Sequence, residues 1–432
     1  MRQGYDIAIV GAGPAGCTLA ALLRLRGFEV IVFDDDKRPD LLVGESLLPT
    51  VVSLIQKLGI EDAVRAVSQH KPGVAFVHRE GLRMDFFFPE RIARGVPNYA
   101  YNVPRPAFDN LLRERAEELG ARFVKRRAEV EKGEGDTEVR LTRACLEATP
   151  ELGGAHPKLL VDSTGRARVF AKALGIRARR GKRNDLAYFA HFENFAADSA
   201  RDGQVVLSVL EHGWSWRIPL PGRLSVGVVV DKEAAKAHGP DPETRLESLI
   251  DAEPLLSEAG KDRRRITPVM TFTNYQLVSE RGAGPGWVAV GDAHGFVDPM
   301  LSPGIMMAMH MAQRLDSVAF AGGPAVLDQP ARLAKRFGRV IHEMEGWHEA
   351  WEEIIDYFYG GSIFSLYEGG AKLSEMYKRW ALPVIAERHL TRQITRAVSG
   401  VSTRSRYART LIACSAKHLV WGTEGPDFYA VR

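Results

Sequence analysis

The chain has 432 residues, 45% of them hydrophobic and 26% charged, with a formal net charge of +4. That length calls for two or three cooperating domains. The proportions exclude a low-complexity or collagen-like chain and give no reason to expect a nucleic-acid partner. The cysteines, Cys17, Cys145 and Cys414, have no paired spacing, no apolar run reaches about 18 residues, and no signal segment precedes the first strand, so no disulfide, metal site or membrane span is expected and a reducing, cytoplasmic setting fits.

In chain order, "YDIAIV" (5–10) reads as a buried parallel strand, followed by Gly11, Gly13 and Gly16 at GxGxxG spacing. The helical run "CTLAALLRLRG" and a second strand, "EVIVF", lead to Asp34. Strand, glycines, helix, strand and acid together form a dinucleotide cradle. The glycines admit a pyrophosphate, the helix N-terminus offers free N–H groups, and the acid closes on a ribose hydroxyl. "GVAFVHREGLRMDFFF" (73–88) and "RLSVGVVVD" (223–231) alternate like antiparallel strands of a second layer. Between them, "LLVDSTGRARVFAKALG" (159–175) reads as strand, tight turn and helix of the first layer. The runs "RARRGKR" (177–183) and "RRR" (263–265) read as solvated loops, with an anionic partner surface as the alternative. "GWVAVGDAHG" (286–295) repeats the strand-and-turn pattern, with a helix from about 304. "HEMEGWH" (342–348) falls short of a zinc helix because Gly346 stands where the second histidine is needed. Beyond 330 the chain turns helical, with Trp347, Trp351 and Phe358 expected in the core.

"GAGPAG", "DSTG" and "GD", each after a strand, resemble the FAD-binding fold of para-hydroxybenzoate-hydroxylase-type flavoproteins. The resemblance implies an α/β fold: a Rossmann-like FAD-binding domain (1–70, 104–181, 279–330) interleaved with an antiparallel-sheet substrate domain (71–103, 182–278), then a C-terminal helical region (331–432). It implies that Asp34 holds the adenosine ribose, Arg105 lies by the phosphates, Asp162 and Gly165 form the middle element, and Asp292 binds the ribitol. A narrower resemblance to flavin-dependent halogenases rests on "WSWRIP" (214–219), "FVDPMLSPG" (296–304), "GESLLP" (44–49) and Lys71 in "HKPGVAF". It implies that Glu45 and Ser46 belong to a strap over the flavin, that Pro299 and Gly304 lie against it, and that Lys71 and Ser302 act in catalysis. His294 of "GDAHG" is itself a titratable group close to the flavin, read as a packing or ribitol-contacting histidine with a proton relay as the alternative.

Reduced flavin in such proteins reacts with O2 to give a C4a-hydroperoxide. An electron-rich ring attacks it and is hydroxylated, or chloride attacks it and leaves as hypochlorous acid. In the halogenases the chloride is held by backbone amides just after the motif's serine, but here that residue is Pro303, which has no N–H. The expectation is therefore an FAD-dependent monooxygenase hydroxylating an indole- or phenol-type ring, free or carried on a peptide or protein. The alternative is a halogenase of the phenol or pyrrole type using Lys71. Leu301, where tryptophan halogenases carry a catalytic glutamate, argues against free tryptophan. "HREG" also departs from the Trp-Gly usual after "VAFV". Electrons come from NAD(P)H directly or through a separate flavin reductase.

Overall fold

In the computed structural model, which describes residues 4–431 apart from 38, 40, 91, 275, 377–380 and 419–422, the first apolar run is the strand Ile7–Val10. It is buried throughout because it runs parallel between Val30–Asp34 and Leu159–Asp162 inside a six-stranded sheet. Strands covered on both faces read as continuous apolar runs, hence the absence of alternation in "IAIV". The helix Pro14–Leu25 begins with proline at its first turn, where the missing N–H costs nothing.

The second layer is an eight-stranded sheet, antiparallel except where Val205–Val209 runs parallel to Gly73–His78. Gly73–His78 and Arg83–Phe87 form the expected hairpin, and Trp214–Leu220 lies between Val205–Val209 and Arg223–Asp231. Gly227 faces Trp216 across that pairing; a Cβ there would fall 2.2 Å from the indole, so the glycine makes room for the ring. A short ladder, Gln69–Lys71 with Ala100–Asn102, sits beside the strap and is continued by the bridge Ser46–Asn102.

The long helix Pro330–Tyr359 buries Trp347, Trp351 and Phe358, as expected of core aromatics. It is not an appendage: Phe358 packs on Phe76 of the second sheet at 4.5 Å between ring centroids. One expectation differs. The run after "DSTG" is broken, with Gly165–Ala167 forming a single tight turn and Val169–Ala173 a short helix. Arg168 between them has φ of 48°, which no α-helix accommodates. Cys17, Cys145 and Cys414 are free, and among the described residues no cluster of metal-ligating side chains occurs and no helix is long and apolar enough to cross a membrane.

Candidate functional site

A cavity of about 680 Å³ opens between the two sheets, with the glycine turn at one end and the Trp214–Leu220 strand as a wall. The three glycines divide the work. A Cβ on Gly11 would lie 2.4 Å from Ser163 O, and one on Gly16 2.2 Å from Gly11 O, so both are required by the fold itself. A Cβ on Gly13 would meet nothing within 4 Å; it would project into empty space where a pyrophosphate approaches the helix N-terminus.

Asp34 lines the cavity and is 4% exposed. One carboxylate oxygen accepts from Arg113 Nη1 at 2.9 Å and the other from the Asp36 amide at 3.2 Å. Arg105 also lines it, held bidentate by Asp109 at 3.0 and 3.1 Å, with a further bond to Val43 O. At the other end Asp292 faces the cavity with Arg166. Desolvation pushes the Asp292 carboxyl up to about 6, against the opposing pull of Arg166 and Arg105. A glycine cradle, an acid for a ribose, two arginines and a buried acid fit an extended dinucleotide such as FAD.

Asp162 does not line the cavity. Its carboxylate is spent on the Thr164 and Phe170 amides at 3.0 and 2.8 Å, which fixes the turn that brings Gly165 to the wall. The resemblance places it at the cofactor; here it shapes the cradle from behind.

The strap residues Glu45 and Ser46 line the cavity. Backbone bonds from Val103 N to Glu45 O (2.7 Å) and from Leu47 N to Tyr101 O (2.9 Å) tie the strap to the short ladder. Lys71, at the end of that ladder, is 3% exposed, and its Nζ donates to Ser46 Oγ at 2.7 Å and Leu47 O at 3.0 Å. Lys71 itself is behind the cavity wall, one side chain removed through Ser46. Burial lowers its amine to about 7. The sign follows: the unfolded chain holds this proton up to its ordinary range, so the buried amine's contribution is present above that range and lost as pH falls toward 7. Lys71→Met should therefore gain in melting temperature over wild type most at pH 7, and the gap should narrow as the pH is raised to roughly 10. Thermal melts of both proteins across that window check it; a pH-independent gap contradicts it.

The loop 296–304 enters the cavity through Pro299, Ser302 and Gly304. Leu301 and Ser302 have φ of 69° and 58°, both in the left-handed region. Such conformations cost about 1–3 kcal/mol each and gather where a loop is shaped for a ligand. The Ser302 amide is committed to Pro299 O at 2.9 Å, and Pro303 opens the helix Pro303–Arg314. The unbonded amides of that first turn begin at Gly304, beside which a Cβ would find nothing within 4 Å. A halide here has the Gly304 side of the turn and the Ser302 hydroxyl, but no donor at 303. Pro303→Thr restores an N–H at the first position of the helix and should tighten halide binding by roughly tenfold, one hydrogen bond to a charged partner. Halide titration of the FAD-loaded proteins measures it, and equal affinities contradict it.

His294 is 1% exposed and does not line the cavity. It stacks edge-on against His348, 5.8 Å between centroids, and burial lowers it to about 4, so it is a neutral packing group, not a flavin-facing acid. Sequence reasoning missed Arg166, Arg113 and the buried pair of Glu45 with His191 Nε2 at 2.7 Å. Arg166 had a signal, since it directly follows the "DSTG" turn; the pairing partners Arg113 and His191 had none.

The sequence profile of the tryptophan halogenase family matches residues 6–94 and 89–359. A tryptophan 2-halogenase of Chondromyces crocatus is 31% identical over 321 residues, 72% of this chain and 60% of its own length. A 1H-pyrrole-2-carbonyl-[peptidyl-carrier protein] brominase of Pseudoalteromonas luteoviolacea is 28% identical over 316 residues, 71% of this chain and 75% of its length. Among solved structures, a flavoprotein/dehydrogenase from Cytophaga hutchinsonii aligns over 98% of this chain and all of its own, with TM-score 0.78 and 22% identity, which speaks to the fold, C-terminal helices included. The profile and the named relatives support the halogenating alternative better than the hydroxylase expectation that rested on Pro303.

Proposed function

This chain belongs to the tryptophan halogenase family, whose members are FAD-dependent enzymes, and from that premise we propose that it halogenates an electron-rich aromatic ring of the phenol or pyrrole type. The observation that carries the reading is the buried Lys71, held by Ser46 of the strap at 2.7 Å. A lysine that merely decorated the surface would have no reason to accept burial.

Bound reduced FAD, with O2 and halide, supplies hypohalous acid. The protein's share is placement. Gly13 would admit the pyrophosphate, with Gly11 and Gly16 closing the turn behind it; Asp34 would hold the adenosine ribose, Arg105 would lie by the phosphates, and Asp292 with Arg166 would hold the ribitol end. Ser302 and the Gly304 amide hold the halide at the mouth of the helix. The Trp214–Leu220 strand, buried along its whole length, walls the cavity, and the strap residue Ser46 stands between the cavity and Lys71, so that only a small molecule would pass to a ring that Lys71 serves. Behind the strap Lys71, in the protonated fraction that burial leaves near neutral pH, has two N–H groups taken by Ser46 Oγ and Leu47 O and would use the third to polarise the oxygen of hypohalous acid. The ring carbon gains the halogen and loses its proton, and the hydroxyl leaves with that proton as water.

Electrons arrive as reduced flavin from a separate reductase. The named pyrrolyl relative supports a substrate tethered to a carrier protein. Single turnovers with reduced FAD, O2 and bromide, offered free phenols, pyrroles and indoles beside carrier-tethered forms, test the assignment. Brominated product from any ring supports it. Oxygenated product alone, the outcome that the absent amide at Pro303 favours, defeats it.

A further inference from the structure

Three distant segments meet at one buried hydroxyl. Trp214 Nε1 donates to Tyr359 Oη at 2.8 Å, and that hydroxyl donates to Asp298 Oδ2 at 3.1 Å. The other oxygen of Asp298, a residue 0% exposed, accepts from the Met300 amide at 2.8 Å. Arg183, paired with Asp185 at 2.7 Å, covers the face of the Tyr359 ring at 3.5 Å. Tyr359 is the last residue of the long helix, and its carbonyl takes the Val431 amide at 2.8 Å. Burial and Asp298 push the phenol well above its ordinary range, so it keeps its proton and the direction of both bonds is fixed.

We propose that Tyr359 is a positioning residue through which the C-terminal helix sets the active-site loop: one hydroxyl clamps the cavity wall at Trp214 to the turn at Asp298 that precedes Ser302 and Gly304. The turn needs such a clamp. Leu301 and Ser302 both hold left-handed backbone, a shape that persists only where surroundings over-determine it. Neither Trp214 nor Asp298 lies near Tyr359 in sequence, so this contact is made by the C-terminal region alone. Its halide readout rests on the function proposed above; its structural readout does not.

The test compares native and Tyr359→Phe protein, both loaded with FAD. The phenylalanine keeps the ring under Arg183 and removes only the hydroxyl. Hydrogen–deuterium exchange should quicken in 214–220 and 296–305 and stay unchanged in the parallel sheet, with FAD affinity within about twofold and halide affinity weaker by roughly tenfold. Asp298→Asn, which leaves Tyr359 in place, should loosen 296–305 in the same way. Unchanged exchange in 296–305 in both variants overturns the proposal, as does loosening spread evenly over the molecule. If native protein neither binds nor transfers halide, the functional reading fails, and the exchange comparison still decides the clamp.

Discussion

Lys71→Met should reduce halogenated product by about a hundredfold or more, the usual effect of deleting a donor aimed at the reacting oxygen, while FAD binding and oxygen consumption persist. Methionine keeps the length and volume of the side chain and removes its donors. The cradle glycines and the arginines beside them do not touch Lys71, whose polar partners are Ser46 and Leu47. The oxidant therefore still forms and is still spent, but it escapes as hypohalous acid or peroxide without being directed to the ring. Product quantified by chromatography against oxygen uptake separates the two steps. Wild-type product yield from the variant would reduce Lys71 to a structural anchor of the strap.

Gly13→Val should purify folded and colourless. Gly13 caps the helix with φ of −76° and ψ of −176°, extended backbone that valine adopts freely, and nothing in the protein opposes a Cβ there. What opposes it is the cofactor, since the branched side chain fills the approach of the pyrophosphate. Gly16→Val offers the contrast: its Cβ would fall 2.2 Å from Gly11 O, and that variant should fail to fold whether or not FAD is present. Visible absorbance at matched protein concentration, with circular dichroism as the folding control, checks both. A yellow Gly13→Val protein at full occupancy would mean that the cradle is not where the cofactor sits.

The cradle was legible because its parts are local. Strand, glycines, helix and Asp34 fall within one short stretch, and each is demanded by backbone geometry that only a few residue types satisfy. The stretch carrying Trp214 and Trp216 was legible as a motif, and as a strand its period of two places both indoles on the cavity side. The loop 296–304 was legible as a motif but not as a conformation, because nothing in "MLSP" announces two consecutive residues with positive φ. Pairings across the fold were not legible at all. Glu45 meets His191 at a separation of 146 residues, and Trp214 meets Tyr359 at 145; such contacts are set by how the sheets and the long helix pack. Asp162 shows the converse: it occupies a recognisable motif position, yet its carboxylate is consumed by its own turn, while the imidazole of His294 packs on His348 as its packing reading expects. The weight placed on Pro303 came from counting donors in sequence; the helix that begins there still has unbonded amides in its first turn, and Gly304 of that turn lines the cavity.

The most direct test is the mass of the product from one turnover of the native enzyme, supplied with reduced FAD, O2, bromide and the panel of free and carrier-tethered phenols, pyrroles and indoles. The expected result is the paired isotope signature of bromine on one of these rings, lost in Lys71→Met. Product that has gained a single oxygen and no bromine, at every halide concentration, would contradict it.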